Sequence, residues 1–129
     1  MIISEVMFWL MKLNHVDLQV SDIPAAARFF ETLFGLRRVY QREGQIAILE
    51  DEAGLCFGLS NLHNSLAPVY PPDFHVGFIL EKPDQVRSIY ERIRAAGVAI
   101  KFDLQEAGPN FVFQCVGPDN ISVEIRSPR

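Results

Sequence analysis

Asp73-Phe74-His75-Val76-Gly77-Phe78-Ile79-Leu80 is the stretch on which the fold turns. It alternates like a strand with one apolar and one polar side, and a histidine stands on the polar side. A near-copy lies upstream, Asn14-His15-Val16-Asp17-Leu18-Gln19-Val20. In both copies His-Val opens the alternating run, and both runs lead into a proline-containing helix start. The chain therefore reads as two similar modules, each with a histidine at the same place on its first strand.

Working outward, Ser21-Asp22-Ile23-Pro24 supplies a capping residue and an early-helix proline. Ala26, Phe29, Phe30 and Leu33 then fall on one helical stripe, and Gly35 stops the helix. Short strands are expected at residues 36–42, 45–50 and 55–60, with turns at Gly44 and at Asp51-Glu52-Ala53-Gly54. The second module repeats the order. Residues 73–80 form a strand, and Pro83-Asp84 opens a helix that runs through Ala96 and stops at Gly97. Its apolar stripe is Val86, Ile89, Tyr90 and Ile93. Strands follow at 98–103, 110–116 and 120–126. The organisation is thus a β-α-β-β-β module over residues 12–60, a proline-containing linker over 61–72, and a second module over 73–129. Residues 1–11 read as an arm or extra strand, with Met7 and Met11 as alternative starts. Neither half can close a core alone, so the two sheets must meet, in one chain or across a dimer. The fold class is α+β.

Composition sets limits on function. The 129 residues are 49% apolar and 22% charged, the balance of a globular domain. A net charge of −4 without a Lys/Arg run gives no case for nucleic acid. The apolar stretch Met1–Leu10 carries Glu5 and is too short to cross a bilayer. Cys56 and Cys115 lie in expected strands without zinc spacing, which suits buried thiols in a reducing cytoplasm.

The chemistry gathers on the polar sides of the strands. His15, Asp17 and Gln19 share one such side, and His75 holds the equivalent place with Gly77 leaving space beside it. On the last strand Ile121, Val123 and Ile125 face the helices, so Ser122, Glu124 and Arg126 face away. If the sheets curve into a cup, His15, His75 and Glu124 point inward. Two imidazoles and a carboxylate are a facial ligand set for Fe, Mn, Ni or Zn, with positions left for water or substrate. Such a metal polarises a carbonyl, stabilises an enolate or binds dioxygen. Taken singly, each residue has a plainer reading as a hydrogen-bonded or solvated side chain; the equivalent repeat positions favour the metal. Asp17 reads as a second-layer partner of His15 or as solvated, with the latter preferred. Arg126 is assigned as a substrate anchor, and Tyr40, Phe111 and Phe113 alternate suitably to line a pocket, although core packing is the commoner fate of such rings. No general base is evident, and the catalytic residue is left open.

These residues resemble the vicinal-oxygen-chelate superfamily, that is glyoxalase I, bleomycin- and fosfomycin-resistance proteins and extradiol dioxygenases. The carriers are His15 through Asp22 with Phe29-Phe30 and Leu33-Phe34-Gly35-Leu36, then His75-Val76-Gly77-Phe78, Ala96-Gly97-Val98, and Gly117 through Ile125. The resemblance spans Lys12 to Ser127. It implies a cup-shaped sheet with helices outside and a metal held by residues matching His15, His75 and Glu124. It also implies a homodimer in which one chain's first module completes a cup with its partner's second, joining His15 of one chain to His75 and Glu124 of the other. Glyoxalase I has a further glutamate on the last strand of the first module, where this chain has Gly58, and that departure argues against authentic glyoxalase I activity. The implied function is a metal-dependent lyase, transferase or dioxygenase acting on a small molecule with vicinal oxygens. The alternatives are a metal-free antibiotic-binding protein like those that sequester bleomycin, and a non-catalytic domain that kept the fold.

Overall fold

A computed structural model describes residues 10–64 and 67–129. The arm expected over residues 1–11 lies, but for its last two positions, outside the described residues. Module 1 runs β1 (His15–Gln19), α1 (Ile23–Phe34), β2 (Arg37–Arg42), β3 (Ile46–Glu50) and β4 (Cys56–Ser60). Module 2 runs β5 (His75–Ile79), α2 (Pro83–Ala95), β6 (Ile100–Ala107), β7 (Asn110–Val116) and β8 (Ser122–Pro128). The sheets are ordered β1-β4-β3-β2 and β5-β8-β7-β6, the same arrangement twice. In each, the first strand pairs in parallel with the last, and the other neighbours are antiparallel. This is the expected pair of βαβββ modules.

Local chemistry sets the helix ends. Asp22 caps α1, its Oδ1 accepting from Ala25 N at 3.0 Å. Gly35 ends the helix at φ 72°, and Leu36 N reaches back to Phe30 O at 3.3 Å, so a left-handed residue satisfies the last carbonyls. Gln85 Oε1 accepts from Glu81 N and Lys82 N, both at 3.0 Å, at the start of α2. Gly97, at φ 75°, repeats the stop, with Val98 N bonded to Ile93 O.

Each helix covers one face of its own sheet. Ala26, Ala27, Phe30 and Leu33 of α1 are buried with Leu18, Ala47, Leu49, Phe57 and Leu59. Val86, Tyr90 and Ile93 of α2 are buried with Phe111, Phe113, Cys115, Val123 and Ile125. The modules join along this same layer. The rings of Phe34 and Phe78 stack at 4.6 Å, and Arg92 of α2 donates to Leu33 O at 3.0 Å, closing the otherwise cation-free end of α1. Ser21 N and Oγ donate to the Asp119 carboxylate, and Tyr70 Oη donates to Gln19 O.

Element ends shift from expectation by one or two residues, and by four at the end of β6. β6 continues to Ala107, turning through Gly108 into β7. β8 starts two residues late, because Pro118–Asn120 forms a single 3-10 turn with Asp119 and Asn120 in left-handed backbone. No helix among the described residues is long and apolar enough to cross a membrane.

Candidate metal centre

The faces away from the helices are open, and the strand register fixes what stands on them, because paired residues share a face. In module 1 one row is His15, Cys56, Glu50 and Arg37, the last two ion-paired. The next is Asp17, Gly58, Ile48 and Tyr40. In module 2 the matching rows are His75, Ser122 and Val116, then Gly77, Glu124, Gln114 and Phe102. A third holds Ile79, Arg126, Val112 and Gln105.

Module 2 gathers the denser polar group. His75 Nε2 lies 3.8 Å from Glu124 Oε2, and Arg126 Nη1 is also 3.8 Å from that oxygen. Gln114 Nε2 donates to Glu124 Oε1 at 3.0 Å, holding the carboxylate from the neighbouring strand. Gly77 makes room: a Cβ there would run into the Glu124 carbonyl oxygen and stand 3.1 Å from its Cβ. His75, Gly77, Phe78, Ile79, Glu124 and Arg126 line a hollow of about 240 Å³. Lys101 borders the group, its Nζ donating to Ser122 Oγ and Pro72 O at 2.6 Å each. It ties the end of the linker to the strand that pairs with His75.

Both histidines make the same backbone contact. His15 Nδ1 is 3.2 Å from Cys56 O, and His75 Nδ1 is 3.0 Å from Asp73 O. A carbonyl only accepts, so Nδ1 carries a proton in each, and the lone pair of a neutral ring then belongs to Nε2. Backbone orientation of the far nitrogen is the support a metal-ligating imidazole needs. The donors therefore suit a divalent metal in kind and tautomer, but one chain does not assemble them. Among the described residues no group of three His, Cys, Asp or Glu side chains converges closely enough to hold an ion. The structure brings His75, Glu124 and Arg126 together and leaves His15 on the other module.

The aromatic expectations divide. Tyr40 is half exposed on the open face, with two strands between it and Asp17. Phe113 corrects the pocket assignment. It is fully buried on the helix side, edge-on to Tyr90 at 5.2 Å, and Phe111 faces the same way. The open-face aromatic of module 2 is instead Phe102, 50% exposed like Tyr40 and at the matching place in its row. Sequence reading missed it because β-bulges between Ile100 and Gln105 break the alternation.

The profile of the Glyoxalase/Bleomycin resistance protein/Dioxygenase superfamily matches residues 12–125. No curated protein matches the chain. Among solved structures, a possible glyoxalase from Bacillus cereus is 29% identical, with a TM-score of 0.77, covering 89% of this chain and 97% of its own. A lactoylglutathione lyase from Agrobacterium tumefaciens is 19% identical, with a TM-score of 0.75, covering 90% and 92%. A glyoxalase/dioxygenase from Nostoc punctiforme is 20% identical, with a TM-score of 0.78, covering 93% and 92%. The last two show the fold alone.

Proposed function

The chain belongs to the Glyoxalase/Bleomycin resistance protein/Dioxygenase superfamily, and from that premise we propose that it is a divalent-metal-dependent enzyme acting on a small molecule with vicinal oxygens. The proposed centre forms in a homodimer, with His15 of one chain meeting His75 and Glu124 of its partner. The observation that carries this reading is the backbone contact the two imidazoles share. Both rings spend Nδ1 on a backbone carbonyl and present Nε2 on an open sheet face, one of them beside a carboxylate.

The metal, when bound, supplies Lewis-acid stabilisation of charge developing on a substrate oxygen. The chain's own residues do the rest. Gln114 fixes the rotamer of Glu124 through Oε1, leaving Oε2 towards His75. Arg126 offers a guanidinium at the hollow's edge for an anionic substrate group. Tyr40 and Phe102, half exposed at matching positions, offer flat apolar surface on either module. Gly58 leaves the last strand of module 1 without a carboxylate, so authentic glyoxalase I activity is not proposed. The free thiols of Cys56 and Cys115 fit a cytoplasmic setting.

A second reading, a metal-free ligand-binding protein, is favoured by two contacts: Arg126 and Gln114 already provide Glu124 with a cation and a donor. Metal titration separates the two. The full chain is stripped with chelator and titrated anaerobically with Mn, Fe, Ni and Zn, alongside His75→Ala. Stoichiometric binding by the unmodified protein, weakened by about tenfold or more in the variant, supports the enzyme. No binding by the unmodified protein leaves the ligand-binding reading.

A further inference from the structure

Superposing the modules by their strand register reveals an exchange. His15 pairs with Cys56 and His75 with Ser122, so these positions correspond. Two residues further along, Asp17 faces Gly58, while Gly77 faces Glu124. Each module thus sets one carboxylate against one glycine on its open face, with the strands that carry them reversed. The glycines are occupied ground. A Cβ on Gly58 would fall against Asp17 Oδ1, as one on Gly77 would fall against Glu124. Each carboxylate also has one oxygen held by an uncharged donor on its own sheet. Ser60 Oγ donates to Asp17 Oδ2 at 2.6 Å, and Gln114 Nε2 donates to Glu124 Oε1 at 3.0 Å.

We propose that Asp17 is module 1's carboxylate ligand to the metal, delivered from the first strand instead of the last. The assembled centre then takes one histidine and one carboxylate from each module. His15 and Asp17 are alternate residues of one strand face, about 7 Å apart at their roots. An imidazole Nε2 and a carboxylate, each reaching to about 2 Å from a shared ion, span that gap. A second carboxylate also balances the charge of a divalent cation, which Glu124 alone does not. Gly58, which by itself reads as a lost ligand, is the glycine that makes room for the substitute.

This inference rests on the metal reading, and its test separates the two. Mn²⁺ binding to the full chain is followed by the loss of the free-ion electron paramagnetic resonance signal. The variants are Asp17→Asn, Ser60→Ala, His75→Ala and the exchange pair Asp17→Gly with Gly58→Glu. Asparagine keeps the shape of Asp17 and its bond from Ser60, so the single variant retains the fold. The expected result is that Asp17→Asn weakens Mn²⁺ by about tenfold or more. Ser60→Ala is expected to weaken it less, and the exchange pair to restore it to within a few-fold. If His75→Ala weakens binding while Asp17→Asn leaves it unchanged, Asp17 is only Ser60's partner and the metal reading stands without it. If the unmodified chain binds no Mn²⁺, both fall. Should the exchange pair fail to fold, Asp17→Asn alone decides.

Discussion

Phe113 and Tyr40 carry similar rings on neighbouring kinds of strand, and their surroundings give them opposite fates. Phe113 is buried against Tyr90 of α2, whereas Tyr40 is half exposed. Phe113→Ala is expected to cost about 3–5 kcal/mol of unfolding free energy, the range for an aromatic removed from a packed core. Tyr40→Ala should cost under about 1 kcal/mol, as surface changes do. Urea unfolding followed by circular dichroism measures both. The two histidines, Glu124 and Arg126 were legible in the sequence as residues on polar strand faces because period-two alternation is explicit in strands with one buried side. Phe113 was harder. Its strand reads Phe-Val-Phe-Gln-Cys-Val, with apolar residues in both phases, so only pairing with β8 shows that Gln114, not Phe113, stands beside Glu124. Asp17 was visible, but its relation to Gly58 is a fact of parallel register, not of sequence spacing.

At the scale of elements, helix limits were the most legible feature, because Asp22, Pro24, Gly35, Pro83 and Gly97 punctuate them chemically. Strand limits drifted where bulges and the 3-10 turn replace regular pairing, as at β6 and the start of β8. The close contact of β5 with β8 rests on Gly77. The atom a Cβ would strike there is the Glu124 backbone oxygen, which cannot swing aside as a side chain does. Gly77→Ala is therefore expected to be destabilising by about 1–3 kcal/mol, the cost of overpacking. It should also shift the amide signals of His75 and Glu124. Gly58→Ala meets the Asp17 side chain and no backbone, so the carboxylate can turn away at the expense of its Ser60 bond, and the change should be milder. Thermal unfolding and two-dimensional NMR distinguish the pair.

For the whole molecule, the repeat settled the architecture, while the way the half-sites combine is not written in either half. Alkaline behaviour belongs to this scale because its groups come from module 2 and from the junction between the modules. Burial pushes the Cys115 thiol up to about 11, burial raises Tyr70, and the bond to Asp103 raises Tyr90. A raised acid holds its proton longer folded than unfolded. The stability from Cys115 is thus fully present below its ordinary value of 9.0 and is lost as pH rises towards 11. The expected loss across that window is about 2–3 kcal/mol from Cys115, at roughly 1.4 kcal/mol per unit. The tyrosines add to the decline at its upper end. Cys115→Ala should flatten the first part of the profile, measured as urea midpoints from pH 8 to 11.

The parallel pairing of first and last strands also governs how the chain acquires its shape. His15 has no ladder neighbour until Cys56, 41 positions later, has arrived. Such long closures delay the reward for ordering the segment between them. During synthesis, module 1 possesses every strand of its sheet before β5 emerges, so its strands can pair while its sequel is still being made. Module 2 meets the same delay. β8 lies between β5 and β7, and until it is released the strand bearing His75 has no partner in its sheet. A nascent chain halted before Ser122 would thus carry one fully paired sheet and one sheet open between β5 and β7, the form most in need of a chaperone's cover.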